Sequence, residues 1–158
     1  MRTITQIPTF TRRRVALVAA LAAATALVAI AQSDKPDFSG KWELDKERSE
    51  GPADPVEEII EHDGSKLVVT ATSADGRQFA VRLSTDGEEN LNIVRGREMT
   101  ARTTWESGKL VTVVRDAQGM QFIEVRSLSE GGKVQTTEGF IDPARTRAMF
   151  KRVAVKGE

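Results

Sequence analysis

Turn dipeptides recur along this chain at a nearly even beat: Asp63-Gly64, Asp75-Gly76, Asp86-Gly87, Ser107-Gly108, then Gly119 and Gly131-Gly132. They fall about 11 or 12 residues apart, except for one double interval that contains Arg95-Gly96. Glycine accepts positive φ without a Cβ clash, so such pairs between apolar runs favour tight hairpins. Short strands at that spacing build a sandwich or a barrel.

The runs between the turns are rich in Val, Ile, Thr and Phe, which suit a pleated, half-buried surface. Gln78 to Ser84 alternates with a period of two and places Phe79, Val81 and Leu83 on one face. The sets Leu67, Val69 and Ala71, then Met99, Ala101, Thr103 and Trp105, then Leu110, Thr112 and Val114 repeat the pattern. No long stretch after residue 38 has the three- and four-residue apolar spacing of a helix, and the strand reading is weakest over Asp142 to Met149. Strands are predicted to begin near residues 38, 56, 66, 77, 89, 97, 109, 120, 133 and 146. A meander this long avoids exposed edges by closing on itself. The expected fold is all-β, one antiparallel up-and-down barrel of about 8–10 strands. Lys46 to Pro55, with Gly51, Pro52 and Pro55, is the one long connection; its prolines exclude a central strand, and it is expected to cross one end.

The first thirty-one residues stand apart. Arg2, Arg12, Arg13 and Arg14 are the only charges before Asp34, and an apolar run follows from Val15 to Ile30. Ala29-Ile30-Ala31 has the small-x-small form that a signal peptidase accepts, which makes residues 1–31 an export signal cut after Ala31. An uncleaved membrane anchor is the alternative, and Arg12-Arg13 also permits twin-arginine export. Delivery to the periplasm or the extracellular space is expected, with residues 32–36 a short leader and 37–155 the domain. Those four arginines are among 23 basic residues, so the remainder holds 19 basic against 23 acidic ones, a net charge of −4. A mildly acidic domain lacks the basic stripe of a nucleic-acid binder. The chain has no cysteine, so neither a disulfide nor a lipid-modified cysteine is available. A monomer is expected, touching a membrane only through its N-terminal segment.

Asp37-Phe38-Ser39-Gly40-Lys41-Trp42 carries a Gly-x-Trp at the start of the first strand. With the strand count and the basic pair Lys151-Arg152 near the C-terminus, this resembles the calycin signature of lipocalins, fatty-acid-binding proteins and bacterial lipocalin-like domains. The resemblance spans residues 37–155. It implies a barrel whose end is closed by Trp42, with Arg152, or Lys151 on the opposite parity, laid over the indole. No segment is available for the helical lid of fatty-acid-binding proteins. The Gly-x-Trp-x-Gly-x-Gly pattern of haem-binding relatives is absent, since Glu43, Leu44 and Asp45 follow Trp42. No cofactor is expected.

Few residues suggest chemistry. His62, the single histidine, adjoins the Asp63-Gly64 turn, where side chains usually meet water, and a lone histidine without cysteine cannot build a zinc site. No nucleophile elbow occurs and no carboxylate pair has an apolar setting, so an enzyme is not expected. From Met120 to Leu128 the alternation is broken: Met120, Phe122 and Leu128 share parity with Glu124 and Arg126. Either Gln121, Ile123, Val125 and Ser127 face inward and the charges face water, or Glu124 and Arg126 lie inside as an ion pair or a ligand handle. In fatty-acid-binding proteins interior arginines hold the ligand's carboxylate, and the resemblance implies Arg126 for that role. Phe79, Trp105, Phe122, Phe140 and Phe150 line or fill the interior, while Arg82, Arg102 and Arg115 face solvent. Small residues such as Ala71, Ala80 and Thr103 would leave the interior hollow. The leading expectation is a barrel that binds a small apolar or amphipathic molecule through Arg126, Glu124, Phe122, Phe79 and Trp105. The alternative is an envelope interaction module with a filled core.

Overall fold

Where the sequence alternates, the backbone is extended. The computed structural model, which describes residues 35–158, contains ten strands and one 3-10 turn at Glu130–Gly132. The export segment, its cut after Ala31 and residues 32–34 of the leader lie outside the described residues. The strands are β1 (Gly40–Leu44), β2 (Glu57–Asp63), β3 (Lys66–Thr72), β4 (Gln78–Ser84), β5 (Glu89–Val94), β6 (Arg97–Glu106), β7 (Lys109–Asp116), β8 (Gln121–Ser129), β9 (Val134–Phe140) and β10 (Phe150–Lys156). The first nine begin within two residues of their expected starts; β10 begins four residues late because 141–149 forms an irregular connection.

All neighbouring strands are antiparallel, in the order β4-β3-β2-β1-β10-β9-β8-β7-β6-β5. The pairing of β1 with β10, in register Trp42↔Lys156, joins the first and last strands and curls the sheet into a barrel. Strands β4 and β5 share no backbone ladder, and side chains bridge them instead. The Asn92 Oδ1 accepts from the Arg82 amide at 2.7 Å, its Nδ2 donates to the Arg82 carbonyl at 3.0 Å, and the Asn90 Oδ1 accepts from the Ser84 amide. Two amides thus mimic a missing strand's donors and acceptors across the one open seam.

Alternation decides what faces inward. Ile60, Leu67, Val69, Leu83, Ala101, Leu110 and Val114 are buried in one core with Phe38 and Trp42. Phe38, Trp42 and Leu67 have no solvent exposure and Leu110 has 1%, so the end where Phe38 lies is filled by side chains. The Trp42 Nε1 donates to the Phe38 carbonyl at 2.9 Å, which satisfies the indole in this closed end. Gly40 has φ +138, a backbone conformation that favours glycine, and the Lys156 Cε passes 2.6 Å from where a Cβ would stand. The Lys156 Nζ stands 5.5 Å from the Trp42 ring centroid. The cation over the tryptophan is therefore Lys156, and not the expected Arg152 or Lys151: β10 extends beyond residue 155, and the register sets residue 156 opposite Trp42. Arg152 stacks on Phe150 instead, 4.6 Å from its ring centroid.

A second apolar cluster, Val111, Ile123, Val125 and Phe140, lies on the outer face and is nonetheless buried. Arg145, in the 141–149 connection, forms a two-pronged pair with Glu106 on β6 at 2.7 and 3.0 Å. The connection leaves β9, so reaching Glu106 carries it over β8 and β7, the strands that bear this cluster. Phe140 accordingly packs outside the barrel rather than in the interior as expected. Ala80 also faces outward, paired with Thr70 on the parity opposite Phe79, and leaves the interior volume unchanged.

Candidate functional site

The other end of the barrel is hollow. A cavity of about 170 Å³ is walled by Val69, Ala71, Val81, Leu83, Val114 and Phe122, with Phe79, Val94 and Met99 towards the mouth. Small side chains account for the space: Ala71 and Ala101 stand where β3 and β6 would otherwise carry bulk. A dry cavity of about 150 Å³ in another protein holds benzene, so this volume suits a small molecule. It is below the roughly 300–1,000 Å³ of pockets for drug-sized ligands.

One wall is charged. Arg126 on β8 spans the interior to Glu58 on β2, its Nη1 donating to Oε2 at 2.7 Å and its Nη2 to Oε1 at 3.1 Å. The Gln135 amide on β9 donates to the same Oε2 at 3.0 Å. All three residues are buried, with 6%, 8% and 2% of their surface exposed. Burial alone would raise the Glu58 pKa; the charge and hydrogen bonds of Arg126, then the charge of Arg152 and the Gln135 amide, outweigh it and hold the carboxyl below its ordinary value. Burial likewise opposes the Arg126 charge, but Glu58 and Glu124 more than compensate and its pKa is raised. Glu124 is held loosely, with Oε1 3.4 Å from the Arg152 Nη2 and Oε2 3.8 Å from the Arg126 Nη2.

The connection between β1 and β2 crosses this end. The Asp54 carbonyl accepts from the Arg152 Nη1 at 2.9 Å, and Pro55 forms part of the cavity wall. Asp54 also pairs with Arg95, whose guanidinium lies 5.0 Å from the Phe79 ring centroid. That hydrogen bond is the main reason the Asp54 carboxyl titrates below its ordinary value. Pro55, Phe79 and these charges together form the rim.

Of the residues singled out in the sequence, Phe79, Phe122, Glu124 and Arg126 meet around this cavity. Arg152 joins them there. Trp105 does not: it sits at the closed end, 6.1 Å from Phe38 and 6.0 Å from His62 between ring centroids. His62 does not face water, since its side chain is only 8% exposed, its ring stacks on Trp105, and its Nδ1 accepts from the Phe38 amide at 3.4 Å. Phe38 and Ser39 cover the end of β2, the Ser39 hydroxyl donating to the His62 carbonyl at 3.3 Å, and shield that histidine. Glu58, Gln135 and Asn92 were not anticipated. Each parity of β2 pairs one isoleucine with a glutamate, Glu57 with Ile59 and Glu58 with Ile60, so the sequence carries no signal for which glutamate turns inward. Among the described residues no three His, Asp or Glu side chains cluster so as to hold a metal ion.

Several solved proteins share this architecture. Fatty-acid-binding protein 1 of Echinococcus granulosus superposes with a TM-score of 0.60 at 17% identity, over 77% of this chain and 98% of its own. A SAHS (abundant heat soluble) protein of Ramazzottius varieornatus gives 0.60 at 16% identity, over 76% and 95%. A Schistosoma mansoni fatty-acid-binding protein in complex with arachidonic acid gives 0.59 at 18%, over 77% and 96%. The protein is a calycin-like β-barrel in fold. No protein-family model matches the sequence, and no curated protein does.

Proposed function

We propose that this chain is an exported lipocalin-like barrel that holds one small apolar or amphipathic molecule in its hollow half. The observation that carries the reading is the cavity of about 170 Å³, apolar on most sides and charged on one, with Arg126, Glu58 and Glu124 in its wall. An apolar chamber with a few convergent polar groups is the usual form of a small-molecule site. Fatty-acid-binding proteins of similar fold support a carrier role, one of them solved with arachidonic acid. The carrier acts as a monomer and without catalysis. Export rests on Arg12-Arg13-Arg14, the apolar run and Ala29-Ile30-Ala31, and cell fractionation with N-terminal sequencing tests it.

Native mass spectrometry of the protein purified from cells expressing all 158 residues tests the carrier reading. A copurifying small molecule, or saturable binding of an environment-sensitive apolar dye, is the expected result. A bare protein mass with no saturable binding would overturn it.

A further inference from the structure

Resting on the carrier reading, we infer that the accepted molecule is uncharged and bears a hydrogen-bond donor. A carboxylate-headed chain does not fit the charge pattern. Both forks of the Arg126 guanidinium are already taken by the two oxygens of Glu58, at 2.7 and 3.1 Å. The Arg152 guanidinium donates to the Asp54 carbonyl and faces Glu124. Two arginines thus stand against two glutamates, and the interior is electrically balanced without a ligand. An entering carboxylate would have to displace Glu58 and would add a third negative charge in a place of low dielectric. An ammonium would likewise add a third, uncompensated positive charge there.

The polar capacity left over lies at Glu124 and at the Arg152 Nη2 that faces it at 3.4 Å. The Asn92 amide is spent on the Arg82 backbone, and the Thr112 hydroxyl shares a 2.9 Å hydrogen bond with Thr103. Glu124, also in the wall, has its oxygens engaged only at 3.4 and 3.8 Å, longer than a well-formed charged hydrogen bond. A hydroxyl or amide N–H on the ligand would satisfy it while the rest of the molecule packs on Val69, Val81 and Phe122. The cavity of about 170 Å³ takes the part of the molecule that is buried there.

Toluene, benzyl alcohol and benzoate share a ring and differ in the group that would meet Glu124. Titration calorimetry on the protein from cells expressing the whole chain is expected to give benzyl alcohol at least about tenfold tighter binding than benzoate. Glu124→Leu should lower the ratio of benzyl alcohol to toluene affinity by about tenfold, and Glu124→Gln, which keeps an acceptor, should restore most of it. Retained toluene binding shows that each variant is folded. Benzoate binding as tightly as benzyl alcohol, or a ratio unmoved by Glu124→Leu, would overturn the inference and leave the carrier reading intact. Failure of all three compounds to bind would overturn the inference, and absence of saturable dye binding besides would overturn the carrier reading as well.

Discussion

Arg126 on β8 and Glu58 on β2, 68 residues apart in sequence, meet inside the barrel as a two-pronged ion pair at 2.7 and 3.1 Å. The strands that carry them are separated by β1, β10 and β9, so the pair ties facing walls together. A buried pair of this kind is costly to break and need not be stabilising relative to apolar residues. Glu58→Leu alone should therefore destabilise the fold by about 3–5 kcal/mol, whereas Glu58→Leu with Arg126→Met should recover most or all of the loss. Urea unfolding of the two single variants and the double variant closes the cycle; additive losses would contradict the geometry.

The same carboxylate gives the fold an acid limit. Because the Glu58 pKa is depressed in the folded state, the unfolded chain binds more protons as pH falls below about 4.5, and folding stability declines. The contribution is fully present above that unfolded value and is lost as pH drops through the folded one. Glu58→Gln should flatten the decline by up to one proton, about 1.4 kcal/mol per pH unit, in unfolding measured between about pH 2 and pH 4.5.

At the seam, Asn92 does the work of a strand. Asn92→Leu removes its bonds to the Arg82 amide and carbonyl and should cost about 1–3 kcal/mol. Amide exchange at Arg82 should accelerate far more than at Val69, a β3 residue in the regular ladder. Equal acceleration at both would mean global destabilisation and no special role for the seam.

How much of this was legible follows from where each signal lies. Turn glycines and alternation are local, and they located nine strand starts within two residues. The facing of β8 was not local: with Ile123 and Val125 on one parity and Phe122 and Leu128 on the other, both faces are apolar. What resolves the ambiguity is the 141–149 connection, which covers Ile123 and Val125 from outside, and Glu58, which neutralises Arg126 from across the barrel. Lys156 over Trp42 was missed for a similar reason, since only the β1–β10 register reveals it.

Gly40 offers a direct check of that closure. Gly40→Ala places a Cβ against the Lys156 Cε at a positive φ and should cost about 1–3 kcal/mol. Lys156→Ala should cost less, about 0.5–1 kcal/mol, as expected for an exposed cation over an indole. Thermal unfolding orders the two; a larger loss for Lys156→Ala would contradict the packing.

If the hollow half of the barrel is the binding chamber, filling it abolishes binding. Ala71→Phe inserts a ring into the cavity wall. Fluorescence titration with an apolar dye should show saturable one-to-one binding to the native chain and its loss in this variant, with the fold intact by circular dichroism. Undiminished dye binding to a folded Ala71→Phe protein would place any binding elsewhere and contradict the account.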